Sequence, residues 1–327
     1  MTTLKVIVVG ASGETGGSIV NGLLESQTKF DVVALTRPAS VGRPENDELR
    51  RRGVQVLAAE LEGPEDELVS VLSGADVVIS AVNAMVLHAQ VSLANAAKRA
   101  GVGRFVPCCF GTIAPPKGVM QLRDRKEDII NHVKKLYLPY TVIDVGWWYQ
   151  ITLPRLPSGR IDYALAAPAS GIPGDGNTPT SLTDLRDVGR YVAHIISDPK
   201  TLNKMVFAYN EVLTLNDVYD LLEKRSGETV DRNYVPKDKI TVDIAKAQQK
   251  MAQQEGQKSL ADYSNLWTLE YRYSWGIRGD NIPERARYLG YLDCRELYPD
   301  LKWTRLDDYV TEVLDGKARR VFARRSA

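Results

Sequence analysis

Three glycines in the spacing Gly10-x-x-Gly13-x-x-Gly16 carry the most specific chemistry in this sequence. They stand in the run Gly10-Ala11-Ser12-Gly13-Glu14-Thr15-Gly16, directly after an apolar stretch and directly before a helical pattern. In that context the first glycine permits a tight turn, the second lets backbone N–H groups approach a pyrophosphate, and the third lets helix and strand pack closely. The helix N-terminus beyond them adds partial positive charge. Gly10, Ala11, Ser12, Gly13, Glu14, Thr15 and Gly16 are therefore expected to cradle a dinucleotide. Glycine turns also join strands to helices without a ligand; the strand–helix alternation downstream weighs against that reading.

The end of the second apolar run selects the dinucleotide. An NAD site places a carboxylate about 20 residues on, to grip the ribose 2′-hydroxyl. Here the run ends Leu35-Thr36-Arg37, with no carboxylate. A guanidinium pairs bidentately with a 2′-phosphate that a carboxylate would repel, so Arg37 points to NADPH/NADP+. Arg43 stands in a Pro/Gly loop, where it would either add charge or simply be solvated.

Aromatic residues supply the second candidate surface. Gly146-Trp147-Trp148-Tyr149-Gln150 follows the sixth apolar run. Ligands of doubly wound sheets sit beyond the carboxyl ends of the strands, which makes Trp147, Trp148 and Tyr149 candidates for a substrate wall. The same tryptophan pair would also serve to seal a junction between subdomains. Residues 263–275 carry Tyr263, Trp267, Tyr271, Tyr273 and Trp275, and Tyr263 and Trp267 are candidates for a lid or far wall. Such a cavity suits a flat, ring-containing or prenylated small molecule, aromatic or alkaloid-like, and its ring faces could stabilise an iminium cation. His88, His132 and His194 show no metal spacing and read as helix-surface residues, so no metal is expected.

Positioning these groups requires alternating elements. Apolar, β-branched runs at 5–9, 32–36, 55–58, 77–81, 104–106 and 140–144 read as strands, separated by amphipathic stretches at 18–25, 65–72, 91–100 and 123–136. This predicts an α/β fold, a Rossmann-type doubly wound parallel sheet. The Pro/Gly-rich segment 154–179 suggests departure into a smaller α/β substrate-binding subdomain. A helix at 185–197, a strand at 205–209, a helix at 215–226 and a Gln-rich stretch at 245–258 follow. Residues 1–153 plus about 180–210 are assigned to the cofactor domain, and about 154–179 plus 211–327 to the substrate subdomain.

Composition narrows the classes. The chain has 327 residues, 44% hydrophobic and 25% charged, which suits one large globular domain or two coupled ones. A formal net charge of +1 gives no bulk electrostatic reason to expect nucleic acid or a membrane as direct partner. The basic tail (Lys317, Arg319, Arg320, Arg324, Arg325) reads as a solvated, frayed terminus. No apolar run approaches the roughly 18 residues of a membrane helix. The N-terminus enters a strand without a signal-peptide pattern, and three cysteines make no disulfide framework, so a reduced cytoplasmic protein, monomer or homodimer, is expected.

Several stretches together resemble the NmrA-like and isoflavone reductase-like branch of the atypical short-chain dehydrogenases. They are the glycine turn with Val8-Val9 before it, Gly74-Ala75-Asp76-Val77-Val78-Ile79-Ser80-Ala81, and residues 97–107 ending Gly103-Arg104-Phe105-Val106-Pro107. Asp187-Val188-Gly189-Arg190-Tyr191-Val192-Ala193 and Glu296-Leu297-Tyr298-Pro299-Asp300 also match. The resemblance spans nearly the whole chain and implies that Ser80, Ala81 and Val82, closing the fourth strand, line the cofactor. The Tyr-x-x-x-Lys pair of ordinary short-chain dehydrogenases has one match, Tyr298 to Lys302, and Pro299 argues for a structural turn there.

The isoflavone reductase-like group resembles a single-lysine design, with the lysine on the helix after the fifth strand. Lys126, in Arg123-Asp124-Arg125-Lys126-Glu127-Asp128, occupies that place. Beside the nicotinamide it would contact the cofactor and act as general acid, or hold a water, provided burial and neighbouring charge lower its pKa. As a plain helical lysine it would instead pair with Glu127 or Asp128. The group's reductases commonly read Ser-Glu-Phe-Gly where this chain reads Cys108-Cys109-Phe110-Gly111, which removes an acidic neighbour. The vicinal cysteines read as thiols filling small apolar space, and Glu60 replaces an Asp common near the adenine.

Three functions remain open on sequence. One is NADPH-dependent reduction of a C=C, C=O or C=N bond of an aromatic or alkaloid-like secondary metabolite. The others are a non-catalytic NADP(H)-sensing regulator, and an NADPH-binding enzyme of natural-product biosynthesis that cyclises or isomerises.

Overall fold

The computed structural model describes residues 3–166, 171–254, 256 and 259–323. Arg324 and Arg325 of the basic tail, residues 167–170 of the Pro/Gly segment, and positions 255, 257 and 258 of the Gln-rich stretch lie outside the described residues.

The alternation read from sequence is present. Strands β1 (Leu4–Val9), β2 (Phe30–Thr36), β3 (Gln55–Ala58), β4 (Val77–Ser80), β5 (Arg104–Val106) and β6 (Thr141–Asp144) are linked by helices α1 (Glu14–Glu25), α2 (Pro44–Arg51), α3 (Glu65–Leu72), α4 (Gln90–Arg99) and α5 (Gln121–Lys135). The sheet runs β3-β2-β1-β4-β5, all parallel, and a parallel bridge from Phe105 to Tyr140 continues it towards β6. The order in which strands are added reverses between β1 and β4, the topological switch point at which such sheets bind ligands beyond their strand ends.

Both faces of this sheet are covered, which is why its strands are apolar without interruption. Val6 and Val8 of β1 face a core shared with Ile19 and Leu23 of α1 and Val188 and Val192 of the later helix α6. Ile7 and Val9 point the other way, into a core with Leu68, Leu72, Leu93 and Val133.

After β6 come β7 (Trp147–Trp148), β8 (Ile172–Pro173), β9 (Thr180–Thr183), α6 (Leu185–Ser197), β10 (Lys204–Phe207), β11 (Glu211–Leu213), α7 (Leu215–Ser226) and β12 (Tyr234–Val235). The chain ends with α8 (Lys237–Gln253), α9 (Leu260–Tyr273), α10 (Pro283–Tyr288), β13 (Tyr291–Asp293), α11 (Cys294–Leu297) and α12 (Leu306–Leu314). Strands β10 and β13 extend the parallel sheet beyond β6, in the order β6-β10-β13. The sheet thus takes its last strand from residues 291–293, deep in the stretch that the sequence division gives to the smaller unit. A second core, drawn from both sides of that division, gathers Tyr149, Leu156, Ile172, Leu182, Leu222, Trp275 and Tyr309 near the small β7-β9-β11 sheet.

Helices α1 and α6 cross at two glycines. A β-carbon on Gly189 would fall 1.8 Å from the Ser18 carbonyl oxygen, and one on Gly22 would fall 2.1 Å from the Gly189 carbonyl carbon. The Ser18 hydroxyl, at the same crossing, accepts from Gly189 N at 3.0 Å and donates to the Leu185 carbonyl at 2.6 Å. The terminal residues also dock. Val321 is buried against the α1/α6 core, Phe322 stacks on Trp148 at 6.2 Å, and Arg319 pairs with Glu14. This corrects the expectation of a frayed terminus as far as residue 323: an apolar Val-Phe pair inside the basic run gives the tail something to bury.

No helix among the described residues is long and apolar enough to cross a membrane, and no cluster among them could hold a metal ion.

Candidate active site

The glycine turn adopts a geometry that its residue types require. Gly10 has φ +79°, and a β-carbon there would fall 2.6 Å from the Ala81 carbonyl oxygen at the end of β4. A β-carbon on Gly16 would fall 2.1 Å from the Gly10 carbonyl oxygen. Gly13 caps α1 without a side chain, so the first N–H groups of the helix point outward uncapped. Ser12 and Gly13 are exposed at the tip, while Ala11 and Gly16 are buried. Glu14 is turned aside: its carboxylate pairs with Arg319 and accepts from Phe322 N at 2.8 Å. Its charge is thereby offset where an anion would bind, and Thr15 stands beside it, half-buried.

Across the switch point Ser80 is fully buried, and its hydroxyl has no hydrogen-bond partner among the described residues. Ala81 and Val82 follow, half-buried. Arg37, just past β2, is exposed, and its guanidinium makes no hydrogen bond or ion pair among the described residues. An uncapped helix start, a cradle that a single β-carbon would fill, an orphaned buried hydroxyl and a free guanidinium together fit the phosphates of a dinucleotide.

Lys126 is placed by α5. Within its charged run, Glu127 pairs with Arg123 and Asp128 with Lys117, which leaves Lys126 out of both ion pairs. Its side chain turns inward, half-buried, and Nζ donates to the Cys109 carbonyl oxygen. Burial alone would lower its pKa, but Tyr271, Cys109, Cys108 and Asp144 around it outweigh that and hold it above the ordinary lysine value. The lowering set as the condition for acid catalysis is not found: the group stays an ammonium that donates hydrogen bonds.

The vicinal cysteines are free thiols, and burial pushes both up. Cys108 Sγ donates to the Val82 carbonyl at 3.1 Å, and its N–H donates to Gln90 Oε1 at 2.7 Å. Both shape the turn whose carbonyl holds Lys126. The acidic neighbour missing at Cys109 has a counterpart that sequence reading passed over, Asp144 at the end of β6. Asp144 is fully buried, accepts from Arg123 Nη1 and from the Tyr291 hydroxyl, each at 2.6 Å, and keeps its other oxygen unpartnered. The signal was an acidic residue closing an otherwise apolar strand.

The aromatic candidates separate by strand alternation. Trp147 faces the smaller unit, half-buried, with ring centroids 5.2 Å from Tyr271 and 5.6 Å from Trp275. Trp148 points to the opposite side, against Phe322. Tyr149 is fully buried, stacked on Tyr309, with its hydroxyl donating to Glu211 Oε2 at 2.8 Å. This corrects its expected place in a substrate wall: it belongs to the second core.

Tyr263 and Trp267 stack at 5.1 Å, and the Arg125 guanidinium sits 4.7 Å from the Tyr263 ring centre. Trp267 Nε1 donates to Gln121 Oε1 at 3.2 Å, and Glu270 accepts from Gln121 N at 2.8 Å, capping α5. These contacts fix α9 against the start of α5 and bring Tyr271 to Lys126, a neighbour that sequence reading did not assign to the site. The histidines stand apart, with His132 on Asn95 and His88 facing Glu62. Tyr298 to Lys302 is a turn, with Leu301 N donating to the Tyr298 carbonyl at 3.1 Å.

Comparisons with known proteins match most of this chain. A model of the NmrA-like family matches residues 2–310. The asnovolin J 5′,6′-dehydrogenase of Aspergillus novofumigatus is 48% identical over 317 residues, covering 96% of each chain. Eugenol synthase 2 of Clarkia breweri is 29% identical, over 95% of this chain and 98% of its own. A crystal structure of isoflavone reductase superposes with a TM-score of 0.77 at 26% identity, over 95% of this chain and 99% of the other. The leucoanthocyanidin reductase–NADPH complex of Vitis vinifera shares the fold, with a TM-score of 0.79 at 19% identity.

Proposed function

This chain belongs to the NmrA-like family, and from that premise we propose that it is an NADPH-dependent oxidoreductase of the isoflavone reductase-like kind. The substrate is a ring-containing secondary metabolite, and the bond is carbon–carbon, interconverted between single and double. The relative named asnovolin J 5′,6′-dehydrogenase supports that choice over C=O and C=N. Its name gives the oxidative direction, and the same carbon–carbon bond read in reverse is a reduction by NADPH.

The observation that carries the proposal is Lys126: an ammonium turned inward beside β6, outside every ion pair of its own helix. A protein that only senses a dinucleotide has no use for a poised proton donor beneath an aromatic wall. The glycine turn and the N–H groups of Glu14, Thr15 and Gly16 would hold the pyrophosphate, Arg37 the 2′-phosphate, and Ser80, Ala81 and Val82 the central part of the cofactor. When bound, the nicotinamide supplies or takes the hydride. Lys126 holds the proton that accompanies it, while Trp147 and α9 with Tyr263 and Trp267 limit water and select flat ligands. The division into cofactor domain and substrate subdomain is part of this proposal, with β13 reassigned to the cofactor sheet.

Steady-state kinetics separate this reading from the sensor. Purified protein with NADP+ and asnovolin J, or with NADPH and the corresponding 5′,6′-dehydro compound, is expected to turn over, with NADP(H) preferred to NAD(H). Different affinities for NADP+ and NADPH with no consumption of either, across ring-containing enones as well, would support the sensor instead.

A further inference from the structure

We propose that Tyr271 is a catalytic proton donor of this site, paired through space with Lys126; the inference rests on the reading of the protein as an NADPH-dependent oxidoreductase. Helix α9 presents Tyr263, Trp267 and Tyr271 at four-residue intervals, and so on one face. The first two are occupied in docking on α5, through Arg125 and Gln121. The third continues the row to the turn after β5. A β-carbon placed on Gly111 would lie 3.4 Å from Lys126 Nζ and 3.5 Å from the Tyr271 hydroxyl oxygen. Both protic groups therefore border one small space that glycine leaves open.

Neither group is saturated. Lys126 spends one of its three N–H bonds, on the Cys109 carbonyl. The Tyr271 hydroxyl makes no hydrogen bond among the described residues, although the ring is well anchored, 5.2 Å from Trp147 and packed with Leu87, Leu122 and Trp267. A rigidly held phenol with a free O–H beside an ammonium with two N–H bonds to spare is the chemistry of a proton relay. In short-chain dehydrogenases such a pair comes from one helix; here α5 and α9, from the two units, each supply half.

The step balances as follows. Hydride passes from C4 of NADPH to one carbon of a polarised C=C bond. At the other end of the conjugated system a bond to hydrogen forms from the Tyr271 O–H, and its electron pair stays on the phenolate oxygen. The Lys126 ammonium stabilises that oxygen and returns a proton to it, and solvent reprotonates Lys126. With NADP+ the same atoms run in reverse, and the phenolate accepts the proton. Burial pushes the Tyr271 hydroxyl up, while Lys126 and Arg123 on α5 pull it down and Asp144 and Cys108 push it up. Its ionisation is therefore expected on the alkaline side, where reduction should slow and oxidation should quicken.

Tyr271→Phe keeps the ring and removes the hydroxyl; Lys126→Met keeps the stem and removes the charge. A near-ultraviolet tyrosinate titration of the full chain with NADP+ needs no substrate. One ionisation should vanish in Tyr271→Phe and move to higher pH in Lys126→Met. With asnovolin J or its 5′,6′-dehydro counterpart, Tyr271→Phe should lower kcat roughly 10²- to 10³-fold, hold KM within about two-fold and erase the alkaline limb of the reductive profile. A tyrosinate step unmoved by Lys126→Met overturns the pair. Full turnover in Tyr271→Phe with an inactive Lys126→Met removes Tyr271 as donor and leaves the oxidoreductase reading standing. Full turnover in both variants takes the proton transfer away from this pair and overturns the proposal, whereas no turnover by the wild-type protein removes the oxidoreductase reading.

Discussion

Replacing Lys126 with methionine is expected to lower turnover roughly 10²- to 10⁴-fold, the range for loss of a positioned acid–base group, while NADPH affinity changes little. The stem of methionine fills the same space, so the turn at Cys109 loses one hydrogen-bond donor and no packing. Lys126 is held above the ordinary lysine value despite burial, because Tyr271, Cys109, Cys108 and Asp144 outweigh desolvation. Its charge is therefore constant through neutral pH, and no acidic limb in the rate should belong to it. Steady-state kcat beside a fluorescence titration of bound NADPH separates chemistry from binding. A Lys126→Met protein that binds NADPH normally and turns over at the wild-type rate would make Lys126 a structural residue and remove it from the proposed mechanism.

The second large effect is on stability. Asp144→Ala should destabilise the fold by about 3–5 kcal/mol, the loss found when one partner of a buried ion pair is removed. Arg123 and Asp144 are 2% and 0% exposed at the side chain, and their contact is 2.6 Å. The guanidinium would be left with Glu127 and the Tyr291 hydroxyl, which places the loss nearer the lower end of that range. In the wild type burial works against the Arg123 charge and the Asp144 carboxylate more than restores it; in the variant that support is gone, yet a guanidinium still does not deprotonate near neutral pH. Asp144→Asn keeps an acceptor for Tyr291 and should be milder. The shift in urea midpoint measures both, and a loss under about 1 kcal/mol for alanine would mean that the pair contributes no more than an exposed salt bridge.

The sheet was readable because a strand covered on both faces must be apolar throughout. The glycine turn was readable because few residues other than glycine survive contacts of 2.1 and 2.6 Å from a β-carbon to backbone oxygen. The polar part of the site was less readable, for a physical reason. Residues 123–128 are six consecutive charges, which looks like a solvated helix face. Helical spacing puts Arg123, Lys126, Glu127 and Ile130 on one side, and that side is turned into the protein. Buried partners far away in sequence, Asp144 and Tyr291, make the burial of Arg123 tolerable, and no local pattern announces them.

The aromatic residues divide in the same way. Trp147, Trp148 and Tyr149 look alike in a row, yet alternation sends Trp148 to the α1/α6 core while Trp147 and Tyr149 face the smaller unit. Tyr263, Trp267 and Tyr271 read only as part of an aromatic-rich segment; their four-residue spacing places them on one face of α9 in the structure. The five-residue π-helical turn Ser274–Arg278 then brings Trp275 to Trp147, a register change without a sequence signature. Docking of the tail on Glu14 joins residues 305 positions apart and was equally beyond local pattern.

Isotope transfer tests the central claim most directly. Wild-type protein is incubated with NADPH deuterated at C4, each face in turn, and the 5′,6′-dehydro counterpart of asnovolin J, and the product is examined by mass spectrometry and NMR. One deuterium from one face of the nicotinamide, bound to a ring carbon that was part of the double bond, is the predicted result. A product without deuterium would contradict hydride transfer and point to cyclisation or isomerisation, and no product with tight NADPH binding would point to a sensor.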